Sequence, residues 1–545
     1  MQITKVNQNL NTCNQNPEFK GGTDAFLRYL AINQAVGANA VDLSFMVIPR
    51  TTSDAIRRGP AAGLETGRRE ITGTVNHSLV GVYGITAGAI AAAIMGIDNK
   101  YGTNVNKIMA APETLNILAE NKAAQIKNNK SQIEYLEKIL SNVKAFNPQS
   151  AKADKEGFVS LSKETVEKVS KHLDTTINDM PKMKRHVFKK DDFAKAIDAA
   201  VNMVVEDTAE QTDIILKSAE SLPQSKTNLK ALMEDICTVS NAFNKDKVKE
   251  SFKHQIEKGK GLADNNFVKA LTRHKNIKSI AGFAIAAGIG ASVQPLNMYI
   301  TKKKTGVDGF VGVEGRTKDT SNGFKVLKLA TAGAFGAMVL KTLHTNLKNF
   351  MSKMAFTGFW PTISQLKGIY GITIISRLLS ARDKDELREA FTKDTLGFLS
   401  WLVLGDIVNR MTAEAVNNTV LDRKTPEVAK KSFLGRSYGS ILKTRDEIVI
   451  DALAKNGISS TKEENGKIVS KKFKEMMADL QKISDKKALE TTKKRLKTLN
   501  RAQFAGYMFS GLVLGLGIPN LNIYITNKLD RKRKAKAAQE AQTAQ

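Results

Sequence analysis

Three long stretches without a charged residue constrain the fold of this chain more than any other feature. They are Leu79–Ile97, Ser279–Thr301 and Ala502–Asn527, of 19, 23 and 26 residues. As α-helices they would reach roughly 28, 34 and 39 Å, and the hydrocarbon core of a bilayer is about 30 Å thick. Three such runs are rare in one soluble chain, so they predict membrane-spanning helices. A soluble all-helical protein, or one that inserts conditionally, is the alternative.

The phrase L-N-x-Y-I-T-x-K closes both the second and the third stretch. Its copies are Leu296–Lys303 and Leu521–Lys528, which lie 225 residues apart. With one residue inserted after Pro295, that proline matches Pro519. Each copy ends a glycine-rich apolar run and leads into basic residues. The repeat therefore indicates two corresponding membrane helices, each with a basic exit.

Residues of this repeat are the first candidates for a functional role. A tyrosine beside a basic exit suits the headgroup level of a membrane, and a proline kinks or interrupts a helix. Proline-broken helices at corresponding positions of two halves are typical of transport sites. The candidates from the repeat are Pro295, Asn297, Tyr299, Pro519, Asn522 and Tyr524.

Basic clusters flank the predicted spans, where they would meet anionic lipid headgroups. One precedes the first span in a glycine-rich segment, which is read as a solvated juxtamembrane linker, and the others follow the two repeat copies. The clusters are Arg57, Arg58, Arg68 and Arg69; Lys302, Lys303 and Lys304; and Arg531, Lys532, Arg533 and Lys534.

The predicted fold class is all-α: a polytopic membrane helix bundle of about four to six spans with two charged helical extramembrane domains. Weaker apolar segments between the repeat copies supply the further candidate spans. The expected division is a disordered arm (1–24), an interfacial or juxtamembrane segment (25–78), a span (79–97), a charged helical domain (98–278), a second span (279–301), an apolar helical cluster (325–411), a second charged domain (412–501), a third span (502–527) and a basic tail (528–545).

Sequence motifs for catalysis are absent. No metal-ligand spacing, phosphate loop or nucleophile elbow occurs, so no catalytic residue, metal or cofactor is expected. Asp406 is the one carboxylate embedded in an apolar run, which makes it a functional candidate. Arg410 follows four residues later, so a helical ion pair is the simpler interpretation.

The net charge of +29 is spread along the chain, whereas a DNA-binding module concentrates its cations on one face. A soluble nucleic-acid binder is thus the least favoured function. The expected function is a non-enzymatic, integral multi-pass membrane protein that acts as a scaffold or binds partners, and a transporter or channel is the alternative. The expected partners are anionic lipid headgroups and other membrane or envelope proteins.

Overall fold

A computed structural model describes residues 34–183, 191–217, 225–306, 318–356 and 361–543 of the chain. The predicted arm at 1–24 lies outside these residues. The described part is mostly helical, and it divides into a set of long apolar helices, called the bundle, and a polar region built from two insertions, called the head.

The bundle begins with helices that run antiparallel to one another through short connections. Its helices are α1 (Gln34–Val41), a π-helical turn (Asp42–Val47), α2 (Ile48–Arg58), α3 (Pro60–Met95), α11 (Asn266–Thr305), α12 (Asn322–Thr342), α13 (Phe350–Lys353), α14 (Ile363–Leu379), α15 (Lys384–Leu399), a π-helical turn (Ser400–Leu404), α16 (Gly405–Val416), α20 (Lys486–Gly511), a π-helical turn (Leu512–Gly517) and α21 (Ile518–Thr543).

The first insertion of the head lies between α3 and α11. It contains α4 (Ile97–Tyr101), a 3-10 turn (Val105–Lys107), α5 (Pro112–Lys127), α6 (Gln132–Ser141), β1 (Val143–Phe146), β2 (Phe158–Ser160), α7 (Lys163–Asp179), a 3-10 turn (Met180–Lys182), α8 (Asp192–Thr208), β3 (Ile214–Leu216), β4 (Ser225–Thr227), α9 (Leu229–Phe243), α10 (Asp246–Glu257) and a 3-10 turn (Leu262–Asp264). The strands form one antiparallel sheet in the order β2-β1-β3-β4.

The second insertion lies between α16 and α20. It contains a 3-10 turn (Asn418–Val420), β5 (Leu421–Arg423), a 3-10 turn (Pro426–Lys430), α17 (Phe433–Tyr438), β6 (Ser440–Leu442), α18 (Arg445–Lys455), β7 (Thr461–Glu464), β8 (Lys467–Ser470) and α19 (Phe473–Leu480). β5 pairs with β6, and β7 with β8, both antiparallel.

The structure is mostly helical, as the sequence predicts, and the head adds a few short strands that the prediction of an all-α fold did not include. Among the described residues there are eight, each of three or four residues. A segment that short shows too little alternation of apolar and polar residues to be distinguished from a loop in the sequence.

The two insertions form one head because they share a single hydrophobic core. Polar contacts join them as well: Asn202 Nδ2 donates to Ser470 Oγ at 2.9 Å, and Gln211 N donates to Glu447 Oε1 at 2.8 Å. The two charged regions of the sequence thus lie at the same end of the bundle.

The bundle has a duplicated arrangement. In the first half α3 leads into the head and α11 returns; in the second half α15 and α16 lead in, and α20 and α21 return. In each half, the helical segment that precedes the outgoing helix packs against the other half. The turn at Asp42–Val47 contacts Leu512–Gly517, and α14 contacts α11. The two halves are therefore related by approximate twofold symmetry, because each packs its preceding segment against the other.

Glycine allows a close crossing in the bundle, between α3 and α11. A Cβ on Gly282 would lie 2.7 Å from the Cα of Gly84, closer than real Cβ contacts. The small residues here are therefore required for packing. Pro295 lies inside the continuous helix α11, and Pro519 is the second residue of α21, just after a π-helical turn.

Four helices of the described chain are long and apolar enough to cross a membrane, judged by length and composition. They are Pro60–Met95, Asn266–Thr305, Asn322–Thr342 and the continuous stretch Lys486–Arg533. Three of them begin before the uncharged runs that the sequence marks, with charged residues in the preceding turns of the same helix. In Pro60–Met95 the charged residues Glu65 and Glu70 are buried, whereas most of those at the start of Lys486–Gly511 are exposed. Of the segment 25–78, which was expected to be interfacial or juxtamembrane, the described residues 34–78 are helical apart from Gly59 and pack against other helices of the bundle.

Candidate functional site

The bundle encloses a layer of paired charges where its two halves meet, at the end away from the head. We call it the ionic layer. Its members come from α2, α3, α14 and α15 and from the connection between the last two: Arg50, Asp54, Arg58, Glu65, Arg69, Glu70, Arg377, Arg382, Glu386, Glu389, Lys393 and Asp394.

Two arginines and two carboxylates form the centre of the layer. Arg377 Nη1 lies 2.5 Å from Asp394 Oδ1, and its Nη2 lies 3.6 Å from Glu70 Oε1. Arg50 Nη1 lies 3.5 Å from Glu70 Oε1 and 3.9 Å from Asp394 Oδ1. Each arginine thus faces one carboxylate from each half. The four side chains are buried, so their charges are balanced by one another and not by solvent.

Two further ion pairs cross between the halves on either side of this centre. Arg58 of the first half binds Glu389 of the second through two hydrogen bonds of 2.7 Å, the bidentate geometry of a strong pair. Arg382 of the second half donates to Glu65 of the first at 3.1 Å and also binds Glu386. The crossing is reciprocal, as an approximate twofold relation requires.

A second repeat in the sequence underlies this symmetry and was missed in the sequence reasoning. The pattern Glu-x3-[Arg/Lys]-[Glu/Asp]-x2-Gly occurs as Glu65–Gly73 and as Glu389–Gly397. In both copies the pattern starts at the sixth residue of its helix, Pro60–Met95 or Lys384–Leu399. Because Glu and Asp, and Arg and Lys, replace one another, the likeness shows only when charge is compared in place of residue identity.

The L-N-x-Y-I-T-x-K copies support the layer from its edges. In the first copy Asn297 and Thr301 are buried and accept hydrogen bonds from Arg68 at 3.3 and 2.9 Å. In the second, Asn522 donates to the backbone carbonyl of Glu389.

The next buried polar residue of the second copy is Thr526. It donates to the carboxylate of Glu389 at 3.1 Å and accepts from Arg388 at 2.6 Å. The Asn and Thr of both copies therefore bind the charged outgoing helices from the returning ones, at Arg68 in α3 and at Glu389 in α15.

The tyrosine and the first leucine of each copy point outward. Tyr299 and Tyr524 are 63% and 62% exposed, and the leucines Leu296 and Leu521 are exposed beside them. Each tyrosine ends a line of exposed apolar side chains that begins near the head, at Ile280 in α11 and at Phe504 in α20. At 1.5 Å per residue both lines are about 30 Å long, which matches the hydrocarbon core of a bilayer.

A small polar cavity lies within the ionic layer. Its volume is about 40 Å³, and charged residues of the layer line it together with Gln294. Glu65 Oε2, Asp394 Oδ2 and Gln294 Oε1 are buried there without a hydrogen-bond partner within the described part of the chain. A cavity of this size has room for one or a few water molecules, which would satisfy such atoms.

Asp406 and Arg410 lie outside the layer, in α16. Arg410 Nη2 is 2.9 Å from Asp406 Oδ2, and Asp406 is largely exposed. Arg410 also donates to the backbone carbonyls of Tyr438 and Ser440. The pair is the i, i+4 helical ion pair that the sequence suggested, and it fastens α16 to the second insertion.

The basic clusters divide into two groups by their surroundings. Arg58, Arg68 and Arg69 are engaged within the bundle, as Arg69 binds Glu70 at 2.9 Å. These three therefore face protein and not a solvated linker. The other described members are exposed, and Arg533 also pairs with Asp385: Arg57, Lys302, Lys303, Lys304, Arg531, Lys532 and Arg533. The side chain of Lys534 lies outside the described residues.

A second cluster of buried charges joins the two insertions of the head. Glu210, from the first insertion, lies near Asp422, Lys443 and Glu447 from the second. Burial, together with the charges of Glu210 and Asp422, raises the pKa of Glu447 to about 8. Burial likewise raises the pKa of Asp422 to about 6, although the charge of Lys443, whose Nζ lies 2.5 Å from Asp422 Oδ1, lowers it. Three carboxylates thus share one lysine across the junction.

No arrangement of three or more His, Cys, Asp or Glu side chains suited to a metal ion occurs in the part of the chain that the structure describes. Comparison with known protein families, curated proteins and solved structures finds no match for this chain. Its function must therefore be inferred from its own geometry.

Proposed function

We propose that this chain is a non-enzymatic, integral membrane protein whose duplicated bundle holds the composite head at one membrane surface. The exposed apolar lines of α11 and α20 are the observation that supports this function. Both are about 30 Å long, both begin under the head, and both end at a tyrosine followed by exposed cations.

The ionic layer fits a structural role in such a protein. Its charges are paired across the halves, so they fix how the two halves meet. Sliding or rotation of one half against the other would leave a buried charge unpaired, which is energetically costly. The head, with its own core and a mixed polar surface, would then be presented in a fixed orientation to other membrane or envelope proteins.

Membrane integration is tested by alkaline-carbonate fractionation combined with labelling of single cysteines by an impermeant maleimide. Lys155→Cys and Glu463→Cys place exposed reporters in the two insertions of the head, and Lys303→Cys places one at a basic exit. Cys13 is replaced by Ser, and Cys237 is buried. We expect retention in the carbonate pellet, labelling of both head positions from one side, and labelling of position 303 from the other.

Extraction by carbonate, or labelling of the two head positions from opposite sides, would overturn this function. High-salt extraction would instead support a soluble basic protein held by charge.

A transporter or channel is the second candidate, and the ionic layer favours it. Ionisable groups inside an apolar bundle at a repeat interface are the usual position of an ion or solute site. The test is solute flux in proteoliposomes with Glu389→Gln, compared with Glu250→Gln on the surface of the head. A flux that the first change abolishes and the second leaves intact would establish transport over scaffolding.

A further inference from the structure

A groove of about 420 Å³ lies on the first insertion of the head where α11 leaves it for the bundle. The groove is lined by two cations, two amides, a threonine and three apolar side chains: Asn116, Ala263, Lys269, Thr272, Arg273, Asn276, Ile277 and Ile280. Ile280 is also the first exposed apolar residue of the line that runs down α11.

Along α11 these residues run from cationic to apolar, in the same order as the charged headgroup and the acyl chains of a phospholipid. Lys269 and Arg273 are one helical turn apart and both are exposed, so they project on one face of the helix. Asn276 follows on the same face, and Ile280 comes one turn later. A phospholipid whose phosphate is bound between the two cations would place its acyl chains along the exposed apolar line below.

Neighbouring cations of the same helix do not share this role. Lys275 and Lys278 point inward, where they donate to the backbone carbonyls of Met109 and Asn106 at 2.7 and 2.9 Å. Lys269 pairs with Asp264 at 2.8 Å, but both side chains are more than half exposed. Solvent screens such a pair, so an incoming phosphate can exchange for the carboxylate.

The second half of the chain repeats the pattern. Lys-x3-[Arg/Lys]-x2-Asn-x3-[Ile/Phe]-Ala-Gly occurs as Lys269–Gly282 and as Lys493–Gly506, in register with the proline match between the halves. In the second copy Arg445 donates to Asn500 Oδ1, so this asparagine is engaged within the head. The groove lies at the first copy, where Asn276 is exposed.

From this placement we infer that the groove at Lys269 and Arg273 binds the phosphate-bearing headgroup of an anionic phospholipid in the leaflet next to the head. This inference rests on the proposed membrane function. The chemistry it requires, a phosphate between two cations, would also suit free inorganic phosphate, and the experiment must separate the two sources.

The test measures binding of a fluorescent phosphatidylglycerol to the full chain in a zwitterionic detergent, with phosphatidylcholine and inorganic phosphate as competitors. The double variant Lys269→Gln/Arg273→Gln is compared with Lys163→Gln/Lys168→Gln, which removes two exposed cations from α7. Each cation near a lipid surface contributes about fivefold to the affinity. We expect the first double variant to bind roughly 10- to 30-fold more weakly and the second to bind as the unmodified chain does.

Equal binding by the two double variants would overturn the inference. Unlabelled phosphatidylglycerol serves as the reference competitor. Competition by inorganic phosphate or by phosphatidylcholine as strong as that by this reference would overturn an anionic phospholipid as the ligand. Carbonate extraction of the chain tests the proposed function separately, because a chain retained in the membrane can still fail the lipid test.

Discussion

Removing Arg58 should destabilise the bundle far more than removing a cation from an equally short surface pair. Arg58 and Glu389 have side chains that are each 7% exposed, and their two hydrogen bonds are 2.7 Å long. The change Arg58→Met leaves the carboxylate of Glu389 buried without its main partner. Breaking a buried pair in this way costs about 3–5 kcal/mol.

The matched control is Lys171→Met in the head. Lys171 lies 2.6 Å from Glu167, but both side chains are about 60% exposed. Solvent and salt screen that pair, and we expect no measurable change in stability. The two changes thus compare ion pairs that have nearly the same nitrogen-to-oxygen distance but differ greatly in burial.

Reversible unfolding in mixed micelles of dodecyl maltoside and sodium dodecyl sulfate, followed by far-ultraviolet circular dichroism, measures both variants. The double change Arg58→Met/Glu389→Met should recover part of the lost stability, because it removes the uncompensated charge. Its recovery should be incomplete, since Thr526 then loses its carboxylate acceptor. A cost for Arg58→Met no larger than for Lys171→Met would refute the reasoning.

Three other changes test separate features. Gly282→Ala forces α3 and α11 apart and should cost about 1–3 kcal/mol, whereas Gly288→Ala, which has open space at its Cβ, should cost nothing in the same unfolding assay. The raised pKa of Glu447, about 8 against an ordinary 4.5, means that the folded head keeps a proton which the unfolded chain releases. The contribution of this group to the stability of the head should therefore be greatest below about pH 4.5, fall as the pH rises towards 8, and level off above it. Hydrogen exchange measures this dependence. Glu447→Gln should flatten it, and Glu250→Gln should not. Asp406→Asn should leave solute flux in proteoliposomes unchanged, because Asp406 is exposed and lies outside the ionic layer; loss of flux would contradict the scaffold function.

Local signals in the sequence were enough to locate the long helices and one of the repeats. The uncharged runs and the L-N-x-Y-I-T-x-K phrase depend on neighbouring residues only, so the corresponding helices, among them Asn266–Thr305, follow directly from hydropathy and spacing. The ion pair between Asp406 and Arg410 could also be read from its i, i+4 spacing.

The charged faces of α2 and α3 show where local reasoning fails. Arg58 and Arg68 look like a basic linker in the sequence, because their partners, Glu389 and the Asn297–Thr301 pair, are more than 200 residues away. Burial of a charge depends on what the rest of the chain brings to it, and no pattern within one helix reports that.

The sequence by itself determined a helical protein with corresponding apolar helices and basic exits, because helix formation and hydropathy are properties of contiguous residues. The tertiary structure alone decided that two separate insertions form one head, and that the Asn and Thr of the repeat face inward while its Leu and Tyr face outward. It also decided that cations from each half neutralise carboxylates of the other, since the stability of a buried charge is set by partners that meet only when the two halves pack together.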